Sequence, residues 1–232
     1  MRLAVASVIL LSLAACSTNS PAGDAAVPAG NVSTSTPATK TPTAAARPRI
    51  VFLGDSLTAG LGLDSDRSFP SLIQRKLKDR GLDYEVINAG VSGDTSAGGL
   101  RRLDWSLEGD VRVLIVALGG NDGLRGLPPA DLKKNLAAIL DRAKASGIAV
   151  ILAGMEAPPN NGIDYTNAFR AVYADLAKEY KVTFIPFLLQ GVAGDASLNQ
   201  TDGIHPNVRG AEIVAETVWK GLEPLVSRKN RS

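Results

Sequence analysis

The strongest constraint on this chain is a regular alternation between two hydrophobic periods. Short β-branched or apolar runs recur at Arg49–Leu53, Glu85–Ile87, Val113–Leu118, Ala149–Ala153 and Thr183–Ile185. Runs this short predict buried parallel strands, covered on both faces. Between them the spacing becomes that of one-sided helices. Pro70–Arg80 places Leu72, Ile73 and Leu77 on one face and stops at Gly81; Asp131–Ser146 carries Leu132, Leu136, Ile139, Leu140 and Ala143 and stops at Gly147. Asn167–Tyr180 follows with Phe169, Val172, Tyr173 and Leu176, and Val208–Leu222 with Ile213, Val214, Thr217 and Val218. Strand, helix, strand in succession predicts a doubly wound α/β sheet, with its ligand site at the carboxyl ends of the strands.

This alternation begins only near Arg49. Met1-Arg2 is followed by an uncharged run from Leu3 to Leu13 and then by Ala14-Ala15-Cys16. A basic start, a short apolar run and small residues mark residues 1–15 as an export signal, too short for a spanning helix of about 20 residues. Leu13-Ala14-Ala15-Cys16 resembles the lipobox of bacterial lipoproteins, which implies lipidation of Cys16 and a chain held in the cell envelope. By the same analogy Ser17, not being Asp, implies outer-membrane sorting in a Gram-negative cell. From Ser17 to Pro48 the chain is almost all Ser, Thr, Pro, Ala and Gly, without Leu, Ile, Met or an aromatic residue. Such a stretch cannot bury a core, so residues 16–48 are expected to be a tether. A single folded domain is expected over 49–226, with 227–232 a polar tail.

Composition narrows the chemistry. There is one cysteine, Cys16, and one histidine, His205. An intramolecular disulfide and the usual Cys/His zinc cluster are therefore excluded, and any imidazole chemistry falls to His205. Lys+Arg number 25 against 23 Asp+Glu, a balance that does not suit a nucleic-acid surface or a polybasic membrane patch.

Polar, glycine-rich segments stand where the predicted strands end. The first strand runs into Gly54-Asp55-Ser56-Leu57, the second into Asn88-Ala89-Gly90-Val91-Ser92-Gly93-Asp94-Thr95, and the third into Gly119-Gly120-Asn121-Asp122-Gly123. Asp202-Gly203-Ile204-His205-Pro206 precedes the last helix. Acyl transfer to a serine needs a base, a carboxylate that orients it, and donors for the oxyanion. Ser56, His205 and Asp202 could fill the first roles. A backbone N–H at Gly93 and the neutral amide of Asn121 could fill the last. Each residue also has a plain structural reading. Ser56 could cap a helix, His205 could be a surface residue, Asp202 a first-turn residue, and Asn121-Asp122-Gly123 an ordinary turn. Neither G-x-x-x-x-G-K-[ST] nor a well-placed G-x-G-x-x-G follows the first strand, which argues against a nucleotide site.

From Ile50 to about Trp219 the sequence resembles the SGNH, or GDSL, hydrolases, in the bacterial arylesterase, thioesterase and lysophospholipase branch. The matching blocks are Gly54-Asp55-Ser56-Leu57, Gly93, Gly119-Gly120-Asn121-Asp122 and Asp202-Gly203-Ile204-His205-Pro206, in that order. The resemblance implies a three-layer α/β/α, flavodoxin-like doubly wound parallel sheet of about five strands. It also implies a Ser56–His205–Asp202 triad, an oxyanion hole from Ser56, Gly93 and Asn121, and no metal or cofactor. The expected activity is hydrolysis of aryl and acyl esters, thioesters and lysophospholipids through an acyl-Ser56 intermediate. Two alternatives stand beside it: an envelope glycan O-acetylesterase, and a non-catalytic lipid- or glycan-binding lipoprotein. The expected partners are a small-molecule ester or lipid, and a membrane only through Cys16; the chain is expected to be a monomer. The loop from Ala157 to Asp164 is expected to shape the acyl pocket.

Overall fold

The computed structural model describes residues 47–227. The signal at 1–15, Cys16, nearly all of the tether and tail positions 228–232 lie outside the described residues. Five strands form one sheet: β1 Arg49–Gly54, β2 Glu85–Gly90, β3 Val111–Ala117, β4 Ala149–Ala153 and β5 Thr183–Ile185. All pair in parallel, in the order β2-β1-β3-β4-β5. The α-helices are α1 Ser56–Ala59, α2 Phe69–Asp79, α3 Ser96–Arg101, α4 Leu103–Ser106, α5 Gly120–Leu124, α6 Pro129–Ala145, α7 Ile163–Tyr180 and α8 Val208–Ser227.

The apolar runs become strands because both of their faces are covered. Ile50, Val51, Phe52 and Leu53 of β1 and Leu114, Ile115, Val116 and Ala117 of β3 are wholly buried. α2 packs with α8, while α3, α6 and α7 pack together, so two separate helix layers enclose the sheet. The buried stripes follow the predicted spacing: Ile73 and Leu77 in α2, with Leu72 only partly buried, Leu132, Leu136, Ile139, Leu140 and Ala143 in α6, and Phe169, Val172, Tyr173 and Leu176 in α7. In α8 the buried set is Gly210, Ala211, Val214, Ala215, Val218, Trp219, Leu222 and Val226, with Ile213 and Thr217 at its edge.

Element ends depart from expectation for local reasons. α6 begins at Pro129, a residue suited to a first turn because its missing N–H has no partner there. α7 begins four residues early, at Ile163, whose first turn faces solvent and so carries no apolar period. α8 continues past Leu222 to Ser227, through Pro224, because Val226 extends the buried stripe. The largest difference is at the strand ends. In or just after the polar segments at the ends of β1, β2 and β3 stand α1, α3, α4 and α5, helices of four to six residues that are too short to show a period.

The strand order places the reversal of winding between β1 and β3. In an open parallel sheet the crossovers on either side of such a point leave toward opposite faces and open a crevice at the carboxyl edge. Ser56 follows β1 and Asn121 follows β3, so both stand beside this crevice.

Candidate active site

Ser56 is the first residue of α1, immediately after β1 and Asp55. Asp55, not Ser56, caps this helix: its Oδ1 accepts the Leu57 N–H at 3.0 Å. The Ser56 hydroxyl is thereby left for another partner, and it meets His205 Nε2 at 2.8 Å. His205 Nδ1 lies 2.7 Å from Asp202 Oδ2. The other oxygen of Asp202, Oδ1, accepts the backbone N–H groups of Ile204 at 2.9 Å and His205 at 3.0 Å. These bonds hold the Asp202 carboxyl down at about 2, so it is an anion at neutral pH. A carboxylate on Nδ1 places a proton there and leaves Nε2 as the acceptor facing Ser56.

Gln200 ties the two arms of this line together. Its Nε2 donates to the carbonyls of Leu61 at 2.7 Å and Pro206 at 3.0 Å, joining the chain after α1 to the chain around His205. Its own N–H donates to the His205 carbonyl at 2.7 Å. Sequence spacing offered no sign of this residue, because a glutamine's partners depend on which loops the fold brings beside it.

Asn121 is the second residue of α5. Its Nδ2 donates to the Asp94 carbonyl at 2.9 Å and stands 3.4 Å from Asp55 Oδ2, a long contact. The helix is seated from below. Gly119 has φ +110°, and a side chain there would overlap the Tyr173 hydroxyl, which itself donates to the Leu118 carbonyl at 3.0 Å. Asp122, the next residue, is buried and accepts the Ser96 N–H at 2.8 Å and the Ser96 hydroxyl at 2.5 Å, which joins α5 to α3.

Gly93 sits at φ +84°, and its carbonyl accepts from Arg125 Nη2 at 2.9 Å. Among the described residues, neither the Gly93 N–H nor the Ser56 N–H has a protein acceptor. The five expected site residues thus come from the ends of β1, β2 and β3 and from the segment after β5, while Cys16 is outside the described residues. Asp55, beside Ser56, is buried, and desolvation pushes its carboxyl up to about 6.

A cleft of about 440 Å³ opens along Ser56, Asn121 and His205. Leu124, Met155, Phe187, Leu189 and Ile204 give it an apolar wall. Of the loop expected to shape it, Ala157, Pro158 and Pro159 line the cleft. Asn161 instead donates to the Gly123 carbonyl at 3.1 Å, and Ile163 and Asp164 open α7. Among the described residues no group of three or more His, Cys, Asp or Glu side chains could hold a metal ion, and no helix is long and apolar enough to cross a membrane.

A serine hydroxyl, an imidazole and a carboxylate in one hydrogen-bonded line, beside unpaired backbone N–H groups, is an arrangement suited to acyl transfer. Residues 52–213 match the model of the GDSL-like lipase/acylhydrolase family. The chain belongs to this family. It is 46% identical over 183 residues to Esterase TesA of Pseudomonas aeruginosa, a match covering 78% of this chain and 91% of that protein. It is 40% identical over 185 residues to the Thioesterase 1/protease 1/lysophospholipase L1 of Escherichia coli strain K12, covering 79% and 88%. The crystal structure of TesA superposes with a TM-score of 0.73 at 46% identity, over 77% of this chain and 99% of that one.

Proposed function

We propose that this GDSL-family protein is a serine ester hydrolase that takes aryl and acyl esters, and thioesters and lysophospholipids with them, into the apolar cleft. One observation carries the reading: the continuous line from Asp202 Oδ2 through both ring nitrogens of His205 to Ser56 Oγ, at 2.7 and 2.8 Å.

In the first half-reaction His205 Nε2 takes the hydroxyl proton as Ser56 Oγ bonds to the acyl carbon. The carbonyl oxygen gains negative charge and is met by the N–H groups of Ser56 and Gly93 and by the Asn121 amide. Collapse of the tetrahedral species expels the alcohol or thiol, which receives the proton from His205. Water then enters, gives its proton to His205 and attacks the acyl-Ser56 carbonyl. The acid leaves and Ser56 regains its proton. Asp202 holds the Nδ1 proton and stabilises the imidazolium formed in each half. The neutral imidazole is the working form, so protonation of His205 in acid removes the base and lowers activity.

The wall formed by Leu124, Met155, Phe187 and Ile204 supports an acyl chain longer than acetyl. Lipidation of Cys16 after removal of residues 1–15, and with it attachment to the cell envelope, completes the proposal on the strength of Leu13-Ala14-Ala15-Cys16.

The test is a fluorophosphonate probe followed by peptide mapping. Labelling of Ser56 in the native chain, lost in Ser56→Ala, is expected. Labelling at another residue, or none in folded protein, would overturn the assignment. Side-by-side kinetics on acetyl, medium-chain and lysophospholipid esters then order the substrates.

A further inference from the structure

We propose that Arg102 is a positioning residue that holds two of the three oxyanion donors, Gly93 and Asn121, in register with Ser56; this rests on the serine-hydrolase reading above. Arg102 lies at the end of α3 and does not border the cleft. Its side chain is only 18% exposed, and each of its three nitrogens reaches a different segment. Nη2 donates to the Gly54 carbonyl at 2.8 Å, at the last residue of β1 and two residues before Ser56. Nη1 donates to the Ala89 carbonyl at 2.6 Å, near the end of β2 and just before the Gly93 loop. Nε donates to Asp94 Oδ2 at 2.6 Å.

Asp94 is the junction. It follows Gly93 directly, and its backbone carbonyl accepts the strong hydrogen bond of the Asn121 amide at 2.9 Å. That bond uses one of the two amide hydrogens and leaves the other, now facing Asp55 Oδ2 at 3.4 Å, to turn toward an oxyanion. A shift of Asp94 therefore displaces both donors relative to the serine. Asp94 is also packed from the other side: a side chain at Gly98 in α3 would overlap its carboxylate. The ion pair with Asp94 cancels the local charge of Arg102, so its contribution is placement of the donors rather than direct attraction of the oxyanion. A planar guanidinium serves three acceptors in fixed directions, which the single ammonium of a lysine cannot do. Displacement of the donors by even a fraction of an ångström weakens transition-state binding more than ground-state binding.

The experiment compares the parent chain with Arg102→Lys and Arg102→Ala on a soluble p-nitrophenyl ester, with circular dichroism to establish folding. Folded variants are expected to lose about tenfold (Lys) and about a hundredfold (Ala) in kcat, with KM within about threefold of the parent and an unchanged acid limb of the pH profile. Millimolar guanidinium is expected to restore part of the kcat of Arg102→Ala and none in Ser56→Ala. The proposal is overturned if the folded variants keep kcat within about threefold of the parent. It is equally overturned if Arg102→Ala fails to fold while Arg102→Lys keeps parental kcat, since the bonds would then be structural alone. Absence of Ser56 labelling in the parent chain sinks the hydrolase reading itself, an outcome separate from either.

Discussion

Asp55 shows how one residue can decide what its neighbour is free to do. By taking the capping bond to Leu57 it releases the Ser56 hydroxyl to His205. The cost is a buried carboxyl whose charge is disfavoured, with its pKa raised from 3.8 to about 6. Because the folded value lies above the unfolded one, the contribution of Asp55 to stability is present in acid and is lost as pH rises from about 4 to about 6. The full loss is of the order of 2–3 kcal/mol. Asp55→Asn keeps an oxygen for the Leu57 N–H and removes the charge. It is expected to be more stable than the parent at pH 8 and equal to it near pH 4, as read from denaturant midpoints. Asp202 acts in the opposite sense: its depressed value makes its contribution present above about 4 and lost as pH falls toward 2. At Asn121 the expectation concerns rate. Asn121→Ala removes one oxyanion donor and should lower kcat by on the order of a hundredfold with the Ser56 labelling pattern retained.

The elements that carry the site are the least visible in the chain. α2, α6, α7 and α8 follow from apolar stripes long enough to repeat, whereas α1, α3 and α5 are single turns or little more, held by caps and cross-links. α3 starts with Thr95 as its cap and is joined to α5 by Ser96 and Asp122. Asn135 of α6 adds a hydrogen bond to the Ser96 hydroxyl at 3.0 Å. Ser96→Ala removes the hydroxyl donor from a buried carboxylate and leaves Asn135 without its acceptor. A loss of about 1–3 kcal/mol is expected in thermal or denaturant unfolding. Since α5 carries Asn121, kcat should fall as well, and full activity at reduced stability would mean that the α3–α5 link does not transmit to the site. Gln200, Arg102 and the capping role of Asp55 were not legible in the same way. Each acts on backbone groups of segments distant in sequence, and nothing local in the chain states which carbonyls will arrive beside a given side chain.

At the scale of the whole molecule the parallel sheet puts every strand's carboxyl end on one edge, and the order β2-β1-β3-β4-β5 opens that edge between β1 and β3. Arg49, where β1 begins, is at the edge opposite the cleft. Cys16→Ser is expected to move the protein from the membrane fraction to the soluble one while kcat on a soluble ester stays at the parental value. Retention in membranes would point to another anchor. The number of strands, the main helices and the buried stripes could be read before folding, and Ser56, His205 and Asp202 could be singled out as candidates, because hydrophobic period and residue chemistry are properties of short stretches. The distances of 2.7 and 2.8 Å that join Asp202, His205 and Ser56 across some 150 residues of chain could not. Nor could the three carbonyl and carboxylate contacts of Arg102, nor the shape of the cleft. Those depend on how separately coded elements meet, and close packing, not local propensity, sets that geometry.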